Sequence, residues 1–293
     1  MDKRVRSVRT PALGEAAKKS ILIPTEDHDT MPAVLAAALV VARTFDSYME
    51  GFAIRPAVGT YVTVEPVSSL AISGAFDEDT AREAQALFEK FMQGNGVPRM
   101  GEGPTVLSWG WPRSEATDDA ALGSYGRVFD LIVLGRPGRD VENARMPPLE
   151  SALFESGKPV LIVPKTAPTV IGRNILVAWN GSTEQAHTNT LAMPFLKRAE
   201  RVTVLTVEGN IADGPSGEMA TQNLRRNGVK ATALTVKSAS RTPGEIILDH
   251  AASLGCDLLV KGAYTQSRLR QMIFGGATRH ILANAALPVL MAH

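Results

Sequence analysis

One cysteine, Cys256, is all that 293 residues contain. A lone thiol excludes an intrachain disulfide and any zinc or iron–sulfur site built on cysteines. Charge of one sign is equally scarce. The 31 basic and 30 acidic residues leave a net +1, which argues against a nucleic-acid binder working through a strong positive field. Long apolar runs are missing too: the longest, residues 34–42, falls far short of a bilayer span. No membrane crossing is therefore expected, and the chain reads as soluble and cytoplasmic. What is present is ordinary for a globular protein, with 44% hydrophobic and 21% charged residues. At roughly 150 residues per domain, the length suggests two domains.

Residues 1–18 carry Lys3, Arg4, Arg6, Arg9 and Lys18 against Asp2 and Glu15. No apolar stretch follows before Pro11 and Gly14, so this is read as a solvated basic tail and not a signal peptide. Beyond it the chain repeats itself. Residues 19–24 (KSILIP) recur as 173–178 (RNILVA), 129–135 (FDLIVLG) as 256–262 (CDLLVKG), and 158–163 (KPVLIV) as 287–292 (LPVLMA). Similar segments in the same order imply a duplicated unit: residues 19–164, a linker at 165–172 marked by Pro168 and Gly172, and residues 173–293.

Within each half, short apolar runs alternate with amphipathic stretches. The runs are 21–23, 51–54, 106–109, 131–134 and 160–163, then 175–178, 202–207, 231–236, 258–260 and 288–291. They lack polar alternation, which predicts strands covered on both faces. Between them lie patterns such as that of residues 245–252, where Ile247 and Ala251 are spaced for one helix face. The fold class expected is α/β: tandem open-sheet domains, each with a mostly parallel, doubly wound five-stranded sheet. Gly94-Asn95-Gly96 is read as a turn, since no strand precedes it. The terminal runs of the halves, 159–163 and 288–292, are short, apolar edge strands for which some pairing is expected, and the tandem arrangement could satisfy it within one chain. A homodimer and an unidentified protein partner are left open.

Ligands of such sheets bind outside the carboxyl ends of the strands, here after Ala178, Val207 and Gly262. Gly262 at a strand end, and Gly275-Gly276-Ala277-Thr278 opening a helix, allow backbone amides to approach an anion. Each charge-assisted hydrogen bond of this kind contributes roughly 1.5–3 kcal/mol. Thr278 adds a hydroxyl, and Arg268 and Arg270 in the intervening loop can neutralise phosphate charge. The bland reading of these glycines is that they make turns.

These residues resemble the universal stress protein family, whose ATP-binding members carry G-x2-G-x9-G-[S/T]. The likeness runs over nearly the whole chain from Lys19 and is strongest in the second half. Gly262 and Gly275 match the first and third glycines, whereas Thr265 replaces the second and Gly276 the Ser/Thr. The resemblance implies a Rossmann-like fold akin to adenine-nucleotide α-hydrolases. It also implies a nucleotide site formed by Ala178, Trp179, Asn180, Val207, Gly262, Thr265, Arg268, Gly275, Gly276, Ala277 and Thr278. Asn180 stands where relatives have an Asp meeting the ribose, and Thr206 beside Val207 is placed to meet adenine. Plain packing against a helix is the alternative role of Trp179. In the first half Gly135-Arg136-Pro137-Gly138 keeps two glycines, but Pro147 and Pro148 stand where phosphate-binding amides would lie. That half is expected to have lost nucleotide binding.

Other chemistry is not evident. His28, His187, His250, His280 and His293 show no metal-ligand spacing, and His28, beside Glu26, Asp27 and Asp29, is read as solvated on a charged surface loop. Ser182 reads as a helix N-cap, Cys256 as the inert start of a buried strand. No catalytic set emerges. The expectation is a stress-response regulatory protein binding ATP, with Mg2+, in its second half, with at most slow hydrolysis. The alternative is a nucleotide-free scaffold with degenerate sites.

Overall fold

The computed structural model describes residues 19–55, 69–101, 106–112, 117–138, 140, 142–209, 212–238, 240–263 and 276–293, with the backbone alone for 69–77. The first half runs β1 (Ser20–Thr25), α1 (Met31–Phe45), β2 (Tyr48–Arg55), α2 (Ser69–Gly94), β3 (Ser108–Gly110), β4 (Thr117–Asp118), α3 (Asp119–Gly126), β5 (Leu131–Gly135), α4 (Met146–Glu155) and β6 (Val160–Val163). The second runs β7 (Asn174–Trp179), α5 (Thr183–Arg198), β8 (Arg201–Glu208), α6 (Gly217–Arg226), β9 (Ala231–Lys237), α7 (Pro243–Ser253), β10 (Leu258–Gly262), α8 (Gly276–Asn284) and β11 (Val289–Ala292). One mostly parallel sheet results, ordered β3-β2-β1-β5-β6-β11-β10-β7-β8-β9, with β4 on the end of β2. Read outward from the middle, each half has the same strand order. The halves meet where β6 and β11 pair antiparallel, Leu161 opposite Leu290.

Parallel strands need helical crossovers, and those helices cover both faces of the sheet. Alternate residues of each strand therefore enter separate apolar layers. Val260 and Leu290 lie in one layer with α1 and α5 residues such as Val34 and Phe195. Leu259 and Met291 lie in the other with Ile247 and Ile281. Residues 231–236 depart from the sequence expectation. They form edge strand β9, whose side chains beyond Ala231 are mostly exposed, because among the described residues no strand follows it in the sheet order. Cys256 also differs: it precedes β10 and is half-buried, and burial pushes its thiol up to about 11, so it stays a thiol at neutral pH.

The repeat has a physical basis at the strand starts. The Asp257 carboxylate accepts the N–H groups of Gly172, Arg173 and Asn174 at 2.7, 2.9 and 3.0 Å, fixing where β7 begins. Asp130, its counterpart in the repeat, accepts from the N–H groups of Lys19 and Ser20, both at 3.0 Å, at the start of β1. Gly172 has φ of +85°, so the chain enters β7 in a conformation that glycine tolerates best. Among the described residues no helix is long and apolar enough to cross a membrane.

Candidate functional site

In the second half the strand order reverses between β7 and β10, and the crevice beyond their carboxyl ends is the expected ligand position. The turn after β7 uses Gly181 at φ of +79°. Ser182 then caps α5: its hydroxyl accepts the Gln185 N–H at 3.2 Å and donates to Asn180 Oδ1 at 2.9 Å. The N-cap reading of Ser182 therefore holds. Asn180 is buried, and the oxygen expected to face a ribose is engaged by Ser182.

Gly262 lies at the end of β10, but its amide is not free. Gln185, fully buried, accepts the Gly262 N–H on Oε1 at 2.7 Å and donates through Nε2 to Asn189 at 2.9 Å. A Cβ at position 262 would come within 2.6 Å of the Gln185 backbone nitrogen. Glycine is required there by the close approach of α5. The sequence reading missed Gln185, although Ser182-x-x-Gln185 has the spacing of a capping box. Its side chain turns to β10 instead.

The region at the ends of β7 and β8 is lined differently from the sequence expectation. Ala178 and Val207 are buried in the apolar layer that contains α7. Trp179 is buried in the opposite layer and donates its indole N–H to the Pro215 carbonyl at 2.9 Å, so it packs and does not frame an open edge. The Ala212 N–H reaches the Asn180 carbonyl at 2.8 Å, which lays the chain before α6 over the end of β7. Beneath it the Thr206 hydroxyl is buried with no hydrogen-bond partner among the described residues.

At the phosphate end, Gly276, Ala277 and Thr278 form the first turn of α8. Thr278 is buried, and among the described residues nothing lies within 4 Å of a Cβ placed at Gly276. Thr265, Arg268 and Gly275 lie outside the described residues, as does Arg270. Beside Gly262 stands a second residue that the sequence reading missed. Lys261 is buried within β10, its ammonium donating to the Gly262 carbonyl at 2.6 Å, and burial lowers its pKa to about 8. The available signal was a single lysine within an apolar strand.

The equivalent place in the first half is filled by its own side chains. His28 is 8% exposed and not solvated as expected, and burial lowers its pKa to about 4. Its Nδ1 accepts the Thr30 N–H at 3.2 Å, so the ring is neutral at that nitrogen. A Cβ at Gly135 would meet its ring at 2.9 Å, whereas one at Gly262 would meet the backbone of α5. Glu26 is likewise no open surface acid. It pairs with Arg145 Nε at 3.0 Å, while Arg145 Nη2 reaches Asp119 at 2.8 Å. Burial nevertheless raises the Glu26 pKa. Arg145 precedes α4, whose first turn holds Pro147 and Pro148. Among the described residues no group of acidic, histidine or cysteine side chains could hold a metal ion.

A doubly wound α/β protein with ligand crevices at its strand ends is the class defined by this geometry. Residues 172–293 match the model of the universal stress protein family. A universal stress protein of Synechocystis sp. is 28% identical over 170 residues, covering 55% of this chain and 57% of that protein. Stress response protein NhaX of Bacillus subtilis is 37% identical over 49 residues, 17% of this chain and 30% of that protein. The matched regions thus span about half and under a third of those relatives. A universal stress protein structure from Archaeoglobus fulgidus shares the fold at TM-score 0.69 and 13% identity, over 94% of this chain and 98% of that one. Residues 172–293 thus match the universal stress protein family, and the whole chain shares the fold of the Archaeoglobus fulgidus structure.

Proposed function

We propose that this protein is a regulatory stress protein that binds ATP or a related adenine nucleotide in its second half, with Mg2+, and without dedicated catalysis. The observation that supports it is the first turn of α8. Gly276 opens into free space among the described residues, at the end of the sheet where β10 finishes. Free N-terminal amides and the helix dipole favour a phosphate there. The sequence offers no catalytic set of residues, which is why binding and not turnover is the reading. One observation favours a nucleotide-free scaffold: Gln185 already occupies the Gly262 amide.

Titration calorimetry with ATP–Mg2+ separates the two. Wild type is expected to bind, and Gly275→Asp to lose binding by charge repulsion. Absence of heat with wild type, together with binding by Thr265→Gly, overturns the nucleotide reading in favour of the scaffold.

A further inference from the structure

Lys261 is two residues from Leu259 on β10, so its side chain shares that residue's face of the sheet, the face covered by α7 and α8. The residue is 5% exposed. Among the described residues its ammonium donates one hydrogen bond, to the Gly262 carbonyl, and no carboxylate lies within ion-pair distance. Among the described residues Glu184 is the acidic side chain whose charge acts on it, favouring the charged form. Buried charges are ordinarily paired, because desolvation without a counter-charge is costly. Here an apolar side chain would fit. The repeat places Leu134 at the equivalent position of β5, and Leu134 is buried in the same apolar layer.

The halves differ in a second way that follows the same division. Leu134 stands in the half whose helix start carries Pro147 and Pro148, with Arg145 held by Glu26 and Asp119. Lys261 stands in the half whose helix start carries Gly276, where a Cβ would meet nothing within 4 Å among the described residues. A buried cation with no counter-ion among the described residues thus accompanies the glycine-opened helix turn and is replaced by leucine where prolines stand in that turn.

We propose that Lys261 is the phosphate-binding cation of the second half, its ammonium contacting a phosphate oxygen of a ligand seated between the end of β10 and the first turn of α8. This rests on the nucleotide reading for its ligand, but its chemistry requires only a phosphate. It also compensates for the hydroxyl that Gly276 lacks.

The test uses the full-length protein and Lys261→Met, an unbranched apolar replacement for a position where leucine fits in the other half. Calorimetry and thermal unfolding are run with ATP–Mg2+ and with pyrophosphate–Mg2+. Wild type is expected to bind both. Lys261→Met is expected to unfold at the same temperature or higher without ligand and to bind each at least tenfold more weakly. Lysine-selective NMR of wild type supplies a readout that does not depend on the variant: the Lys261 pKa, about 8 without ligand, should rise when pyrophosphate binds. Equal ATP binding by both proteins overturns the role of Lys261 while leaving the nucleotide reading standing. Pyrophosphate binding that depends on Lys261, with ATP bound no more tightly, upholds the cation and counts against the adenine part. Binding of neither ligand by wild type overturns both.

Discussion

His28 shows how far a single residue departs from its sequence surroundings. Three acidic neighbours suggest a solvated ring, yet the chain folds it against Gly135 and leaves it neutral. Burial is the largest influence and lowers its pKa to about 4; Asp29 and Asp27 favour the charged form, and Arg145 opposes it. The folded-state value lies below the ordinary 6.5, so the unfolded chain takes up the proton first. Stability from this residue is complete above pH ~6.5 and is lost as the pH falls toward ~4. The loss is on the order of 3 kcal/mol at most. His28→Gln keeps an acceptor for the Thr30 amide but does not titrate. Its urea midpoint should therefore fall less than that of wild type between pH 7 and 4.5. Parallel falls for the two proteins would show that the imidazole does not carry the effect.

At the scale of elements, the most informative pair is Asp130 and Asp257. Each carboxylate gathers backbone amides at the start of the first strand of its half, which explains why an Asp recurs at the same place in both repeats. Hydrogen bonds to a charged group contribute roughly 1.5–3 kcal/mol each, less where water competes, as it does at exposed Arg173. Asp257→Ala should destabilise the protein by about 2 kcal/mol, and Asp257→Asn by less, because one acceptor oxygen remains. Chemical denaturation measures both, and an unchanged Asp257→Ala midpoint would remove this anchor from the account. The strands themselves were legible because covered parallel strands read as unbroken apolar runs. Exposure of β9 was not, since Ala231, Leu234 and Val236 look alike in a central or an edge strand. The site was legible in its glycines and opaque in its partners. Gly262 marks a close approach in either reading, but only the fold shows that α5 makes that approach and that Gln185 takes the amide. Lys261 and Leu134 stood aligned in the repeat, and their difference gained meaning once both were seen to be buried.

For the whole molecule, the antiparallel join of β6 and β11 decides whether the halves are independent. Val289, Leu290 and Met291 face Ile162, Leu161 and Val160, and both apolar layers continue across the join. The Phe45 ring of α1 meets the Phe195 ring of α5 edge-on at 5.0 Å, and Arg136 donates to the Ala283 carbonyl at 2.7 Å. Removing the first half would bare the β11 edge together with its apolar side chains, a surface that seeks another strand. The strand it loses, β6, is the repeat counterpart of β11, and the two pair antiparallel. A second copy of β11 can therefore take that place with two-fold symmetry. A fragment of residues 173–293 should sediment at twice its own mass, or as larger species, and Leu290→Lys in the fragment should shift it toward monomer. A stable, soluble monomer of the unmodified fragment would show that the join is incidental. A dimer dissolved by Leu290→Lys would show that the edge of β11 always requires a partner, supplied in the full chain by its own first half.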